Sequence, residues 1–116
     1  MTFVQVLACV MAASAVAGQR QGQRAAVSPE AMLETTINRY CLGCHNDRTR
    51  TADLTLAGVS ATNVAAHAPV LEKVLQKVRA GEMPPAGRPR PDAASAANLV
   101  AWLETELDRS AAAEPN

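Results

Sequence analysis

The pentapeptide Cys41-Leu42-Gly43-Cys44-His45 constrains this chain more than any other stretch. Two cysteines three positions apart share one face of a helical turn, so both sulfurs can engage a single object. The adjacent histidine brings an imidazole to the same place. Three chemistries use such a grouping. The spacing is the attachment signature of a c-type haem: the thiols form thioethers to the two vinyl groups on one porphyrin edge, and His45 reaches the iron from one side. Gly43 leaves the turn uncrowded where a ring edge must approach closely. A C-x-x-C pair can also be a redox dithiol, but that site needs a βαβ setting, and no strand-rich pattern is present. It can also be half of a zinc site. A structural zinc needs four ligands, and the fourth here would have to be His67, distant in an irregular segment. The expectation is one covalent haem c, held by Cys41 and Cys44.

The motif lies in a chain of 116 residues, the size of one small domain. Residues 1–17, MTFVQVLACVMAASAVA, carry no charge and end in Ala15-Val16-Ala17, just before the polar Gly18-Gln19-Arg20. This pattern predicts the apolar core and cleavage site of a secretory signal peptide, although no Lys or Arg precedes the apolar run. The run is short and alanine-rich for a membrane span. The protein is therefore expected in the periplasm or otherwise outside the cytoplasm, with an uncleaved signal as its only membrane contact. Residues 18–27 are polar, rich in Gly and Gln, and predict a linker.

A domain over 28–109 follows, with three helices. Ser28-Pro29-Glu30 is a helix start: a hydroxyl N-cap, proline at the first position and an acid in the first turn. Leu33, Ile37, Tyr40 and Cys41 then recur at the spacing of one helical face, predicting a helix over 29–42. Pro69 opens a second helix with the stripe Val70, Leu71, Val74, Leu75 and Val78, and Gly81 is its predicted C-cap. Asp92 caps a third, over 93–109, with Ala96, Leu99, Val100, Leu103 and Leu107 on its apolar face. Residues 46–68 keep no period; Asp53–Leu56 predicts a short extended piece and Gly58 a turn. Residues 81–91, GEMPPAGRPRP, hold four prolines and two glycines and exclude regular structure. Residues 110–116 predict a disordered tail or the start of a linker. The predicted class is all-α.

Charge excludes some functions. Lys plus Arg equals Asp plus Glu, 11 to 11, which is neither a generic basic nucleic-acid binder nor an acidic tail protein. The core is the difficulty. From residue 18 onward there are only 21 large apolar side chains (Val, Ile, Leu, Met, Trp, Tyr) beside 19 alanines. A domain this small already struggles to bury enough surface. A covalent haem is itself a large flat apolar group and would supply the missing mass.

Haem iron held by one histidine has a sixth position. Met83 is the first choice, because the two prolines after it hold the loop extended and can keep a thioether in place. His67 is the runner-up, which would give bis-histidine ligation. Met32 fits the core better than the iron.

Helix, Cys-x-x-Cys-His, irregular loop, helix, methionine loop and C-terminal helix follow one another over residues 28–109. In this order the chain resembles a class I-type cytochrome c domain. Tyr40–Asn46, Asp53-Leu54-Thr55-Leu56 and Gly81-Glu82-Met83-Pro84-Pro85 resemble more closely the planctomycete-type cytochrome c domain, found near the N-terminus of large secreted bacterial proteins. The resemblance implies a small class I cytochrome c-like fold, with three main helices and long loops wrapped round one haem. It implies Cys41 and Cys44 as thioether attachments, His45 as the proximal axial ligand and Met83 as the distal one. It also implies further domains, to which Ala113-Glu114-Pro115-Asn116 would lead as a linker. One feature departs. Cytochromes c often orient the proximal histidine with a proline carbonyl, yet no proline lies between His45 and Pro69. Another carbonyl must serve, with Asp53–Leu56 a candidate stretch.

The function expected is one-electron transfer, not catalysis by this domain, with a redox partner protein or a catalytic domain on the same chain as partner. Arg48, Arg50, Arg88 and Arg90 are expected as a basic rim, as partners of the haem propionates, or as solvated loop charges. Two other classes stand beside this reading. One is a haem domain for ligand binding or peroxidase-like chemistry, with an open or labile sixth position. The other is a haem-free helical interaction module with a Cys41–Cys44 disulfide. The first and third helices are expected to cross, with Tyr40 or Ile37 against Trp102 or Leu103.

Overall fold

The computed structural model describes residues 27–114. The expected signal peptide and all but the last residue of the linker lie outside the described residues. Helix α1 spans Pro29–Thr36. The Ser28 hydroxyl accepts the Ala31 amide at 3.2 Å, the predicted N-cap. The helix then widens. The Leu42 amide donates to the Ile37 carbonyl at 3.0 Å, five residues back, in a π-helical turn over Ile37–Cys41. The predicted span of 29–42 holds, but its last turn is not α-helical. A π turn encloses one extra residue, so Cys41 and the residues after it are rotated from where a continuous α-helix would put them.

Two short 3₁₀ turns, Ala61–Asn63 and Ala65–His67, lead into α2, Ala68–Arg79. Its end obeys the C-cap expectation. Gly81 sits at φ +68°, its amide donates to the Val78 carbonyl at 3.0 Å, and the Glu82 amide donates to the Lys77 carbonyl at 2.9 Å. This is a Schellman motif, in which glycine tolerates the left-handed residue that reverses the chain. The Met83 amide joins the same Lys77 carbonyl at 3.2 Å, so the helix end fixes where the methionine loop departs.

Helix α3 spans Ala93–Ala113. The Asp92 carboxylate accepts the Ser95 amide at 2.8 Å and the Ser95 hydroxyl at 2.7 Å. The helix outruns its expected end at 109, and Ser110–Ala113 are helical rather than a disordered tail. Ala111, Ala112 and Ala113 are the best helix formers, and neither Gly nor Pro interrupts them before Pro115. An Arg109–Glu106 ion pair lies along the same turn. Among the described residues there is no strand, and the fold is all-α.

One apolar cluster holds the three helices. Leu33 enters it from α1, Ile37 from the π-helical turn, Leu71 from α2, and Leu99, Leu103 and Leu107 from α3. The aperiodic segment 46–68 contributes three more buried residues, Leu56, Val59 and Val64, which no periodicity announced. The α2–α3 pair is the most extensive helix contact, and α1 meets α3 over a shorter stretch. Trp102 is partly buried and packs against the cluster that Ile37 and Leu103 share. No described helix is long and apolar enough to cross a membrane.

Candidate functional site

A cleft of about 430 Å³ runs between the end of α1, the flank of α2 and the loop 81–91. Cys41, Cys44 and His45 line it, and so do Met83, Pro84 and Pro85. The two elements that the sequence singled out separately therefore share one cavity. The rest of the wall is largely apolar, with Ile37, Leu54, Leu56, Val74, Val78 and Leu99 contributing. Pro84 is buried and anchors the loop, while Met83 keeps 38% of its surface exposed. Met32 and His67 do not line the cleft: Met32 packs against the core, as expected, and His67 ends the 3₁₀ turn before α2.

His45 is held at both ring and backbone. Its Nδ1 lies 3.1 Å from the Thr51 carbonyl oxygen. A carbonyl oxygen only accepts, so Nδ1 donates, and the neutral imidazole keeps its lone pair on Nε2. The His45 amide donates to the Cys41 carbonyl at 2.9 Å, and the His45 carbonyl accepts the Leu56 amide at 2.8 Å. The Thr51 amide donates to the Cys44 carbonyl at 3.1 Å, so Thr51 is fixed on both sides. The orienting carbonyl is thus Thr51, not one within Asp53–Leu56. The backbone around the Thr51 carbonyl bends through Arg50, Ala52 and Asp53, at φ 42°, 57° and 55°. None of these is glycine, so nothing in the sequence signalled a left-handed bend. The extended stretch begins only at Leu54, with φ −122° and ψ 132°.

The two cysteines differ. Burial pushes the Cys41 thiol up to about 11, because a thiolate there would lose its water. Its Sγ lies 3.8 Å from the Thr36 carbonyl. Reactive redox dithiols need a lowered thiol pKa, so the surroundings of Cys41 disfavour that chemistry. Cys44 Sγ is approached by the Arg88 guanidinium at 3.8 Å. Both thiols are free. Among the described residues, no three His, Cys, Asp or Glu side chains gather to hold a metal ion between them, so the four zinc candidates do not converge.

The charged residues lining the cleft are all cationic: Arg39, Lys73, Lys77 and Arg88. Lys77 is paired with Glu82. Of the four arginines considered from sequence, only Arg88 reaches the cleft. Arg90 donates to the Gly81 carbonyl at 2.9 Å, Arg50 pairs with Asp53 at 3.5 Å, and Arg48 is exposed outside the cleft. No sequence signal marks Arg39, Lys73 and Lys77 as cleft residues, because they sit on helical segments whose only pattern is the apolar face.

No family model matches the chain, and no curated protein or solved structure matches it.

Proposed function

We propose that this protein carries single electrons through one covalently attached haem c in the cleft, with His45 and Met83 as axial ligands. The observation that carries the reading is the convergence of Cys41, Cys44, His45 and Met83 on one cavity of about 430 Å³. That volume is in the range of cofactor sites, roughly 300–1,000 Å³. The donor set also fits. Two thiols at haem-attachment spacing, an imidazole with its Nε2 lone pair free, and a thioether on a proline-stiffened loop are what a c-type haem requires. The apolar walls suit a macrocycle, and the cationic lining suits its two carboxylates.

When bound, the haem supplies a reversible ferric/ferrous couple. The chain's residues do the rest. Cys41 and Cys44 would hold the haem at the exit of the π-helical turn that follows α1. Thr51 orients the His45 ring and raises its basicity as a donor. Met83 would supply its thioether as the second ligand, which would leave no open position for a substrate. Leu99, Val74 and Val78 exclude water. Electron exchange then needs only close approach of a partner, either a redox protein or a catalytic domain on the same chain, through a small and transient contact. An extracytoplasmic location belongs to the same reading.

Spectroscopic redox titration tests the proposal. The expected result is a reversible one-electron step, a weak long-wavelength band in the oxidised protein and no carbon monoxide binding after reduction. Carbon monoxide binding together with the absence of that band would replace the electron carrier by a haem domain with an open sixth position.

A further inference from the structure

We infer that Asn46 is the positioning residue for His45, acting through the loop that brings the Thr51 carbonyl to the ring. The functional consequence rests on the reading of His45 as an axial ligand; the structural claim stands apart from it. Asn46 is half-buried directly after the motif. Its Oδ1 accepts the amides of Arg48 and Thr49, each at 2.9 Å. Its Nδ2 donates to the Leu42 carbonyl at 2.7 Å. Its own carbonyl accepts the Arg50 amide at 2.9 Å. One side chain thus ties the exit of the π-helical turn to the reverse turn that follows. Leu42 has a helix-end carbonyl with no onward helical partner, and the Asn46 amide satisfies it.

The turn beyond needs such a tie. Arg50, Ala52 and Asp53 all hold φ between 42° and 57°. Residues with a Cβ disfavour this region, so the loop's own backbone does not select the conformation, and contacts outside it must. Besides the His45 ring bond and the exposed Arg50–Asp53 pair, two side-chain contacts hold the ends of the loop. Asn46 closes its start, and the Thr55 hydroxyl donates to Asp47 Oδ1 at 2.8 Å across its neck, on the exposed side. Only the first is partly buried and joined to the motif helix. Within this frame the Thr51 carbonyl meets His45 Nδ1 and the Leu56 amide meets the His45 carbonyl. A looser frame would let the imidazole rotate, and the donor strength of Nε2 would change with it.

Hydrogen exchange on the full chain, purified from periplasmic expression, tests this. NMR follows the His45 Nδ1 proton and the Thr51 and Leu56 amides in the reduced protein, with the α3 amides as an internal control. Intact mass on the same samples reports whether haem is attached. Asn46→Ala is expected to leave the α3 amides unchanged and to speed exchange of the ring proton and both loop amides about tenfold. Asn46→Asp keeps the Oδ1 acceptor for the Arg48 and Thr49 amides but loses the Nδ2 donor to the Leu42 carbonyl, so it should also speed exchange of the ring proton and both loop amides, by more than about threefold. A ring proton that exchanges at the parent rate in Asn46→Ala overturns the inference. So does acceleration of the α3 amides in step with the loop, which would make Asn46 a general stabiliser. If Asn46→Ala does not accumulate, Asn46→Asp decides alone, and exchange at the parent rate overturns the claim. A parent without haem mass sinks the haem reading, while the loop amides still report on Asn46.

Discussion

His45 donates its Nδ1 proton to the carbonyl of Thr51 across 3.1 Å. The bond fixes the tautomer and the plane of the ring, and it aims Nε2 away from the backbone that holds it. It is made by a residue whose neighbours on both sides lie in the left-handed region. The loop therefore gives up some backbone stability to hold one histidine.

That cost is measurable at Ala52, which sits at φ 57° and ψ 31°. Alanine is disfavoured there by roughly 1–2 kcal/mol, and glycine is not. Ala52→Gly should raise stability by about 1 kcal/mol in urea unfolding at constant slope, after some loss to chain entropy. A loss of stability, as glycine gives in ordinary helices, would show that the bend is not strained.

Local rules in the sequence reached far in this protein. Ser28 and Asp92 cap their helices, Gly81 ends α2 in a Schellman motif, and the leucines of α3 face the core, each because a short-range pattern decides it. The cleft itself was half legible: Cys41, Cys44, His45 and Met83 were named, but nothing local said that one cavity joins them. The π-helical turn, the Thr51 carbonyl and the burial of Leu56, Val59 and Val64 were not legible. They depend on backbone conformations that non-glycine residues rarely adopt, and on contacts between segments without period. The end of α3 was not legible either, because an alanine-rich end carries no apolar stripe, although alanine favours the helix.

Met83 bears on the site without bearing much on the fold, since it is 38% exposed and stands outside the central cluster. Met83→Ala should keep the covalent haem mass and the helix content, and should alter the visible spectrum of the oxidised protein. An unchanged spectrum would remove Met83 from the iron.

Asp92 links stability to acidity. The Ser95 amide, with the Ser95 hydroxyl, holds its carboxyl below the usual aspartate range. A carboxyl lowered in the folded state stabilises fully above its unfolded pKa, about 3.9, and loses that contribution as pH falls through the folded value. Asp92→Ala should therefore lower the thermal midpoint at neutral pH, and the gap to the parent should close as pH falls below about 4. A gap constant over that window would contradict the cap.

Leu103 is fully buried where α3 joins the shared cluster. Leu103→Ala should cost about 3 kcal/mol, the transfer of the lost atoms plus the cavity they leave. A cost under about 1 kcal/mol, read from chemical unfolding, would mean that the cluster collapses readily and does not hold α3 in place.

The covalent attachment of haem at Cys41 and Cys44 is tested most directly by the intact mass of the protein expressed in a periplasm that matures c-type haem, taken after denaturation. The account predicts an increase of one haem over the mass of the processed chain, lost in Cys41→Ala/Cys44→Ala. A mass equal to the chain alone, or to the chain less two hydrogens for a Cys41–Cys44 disulfide, would contradict it.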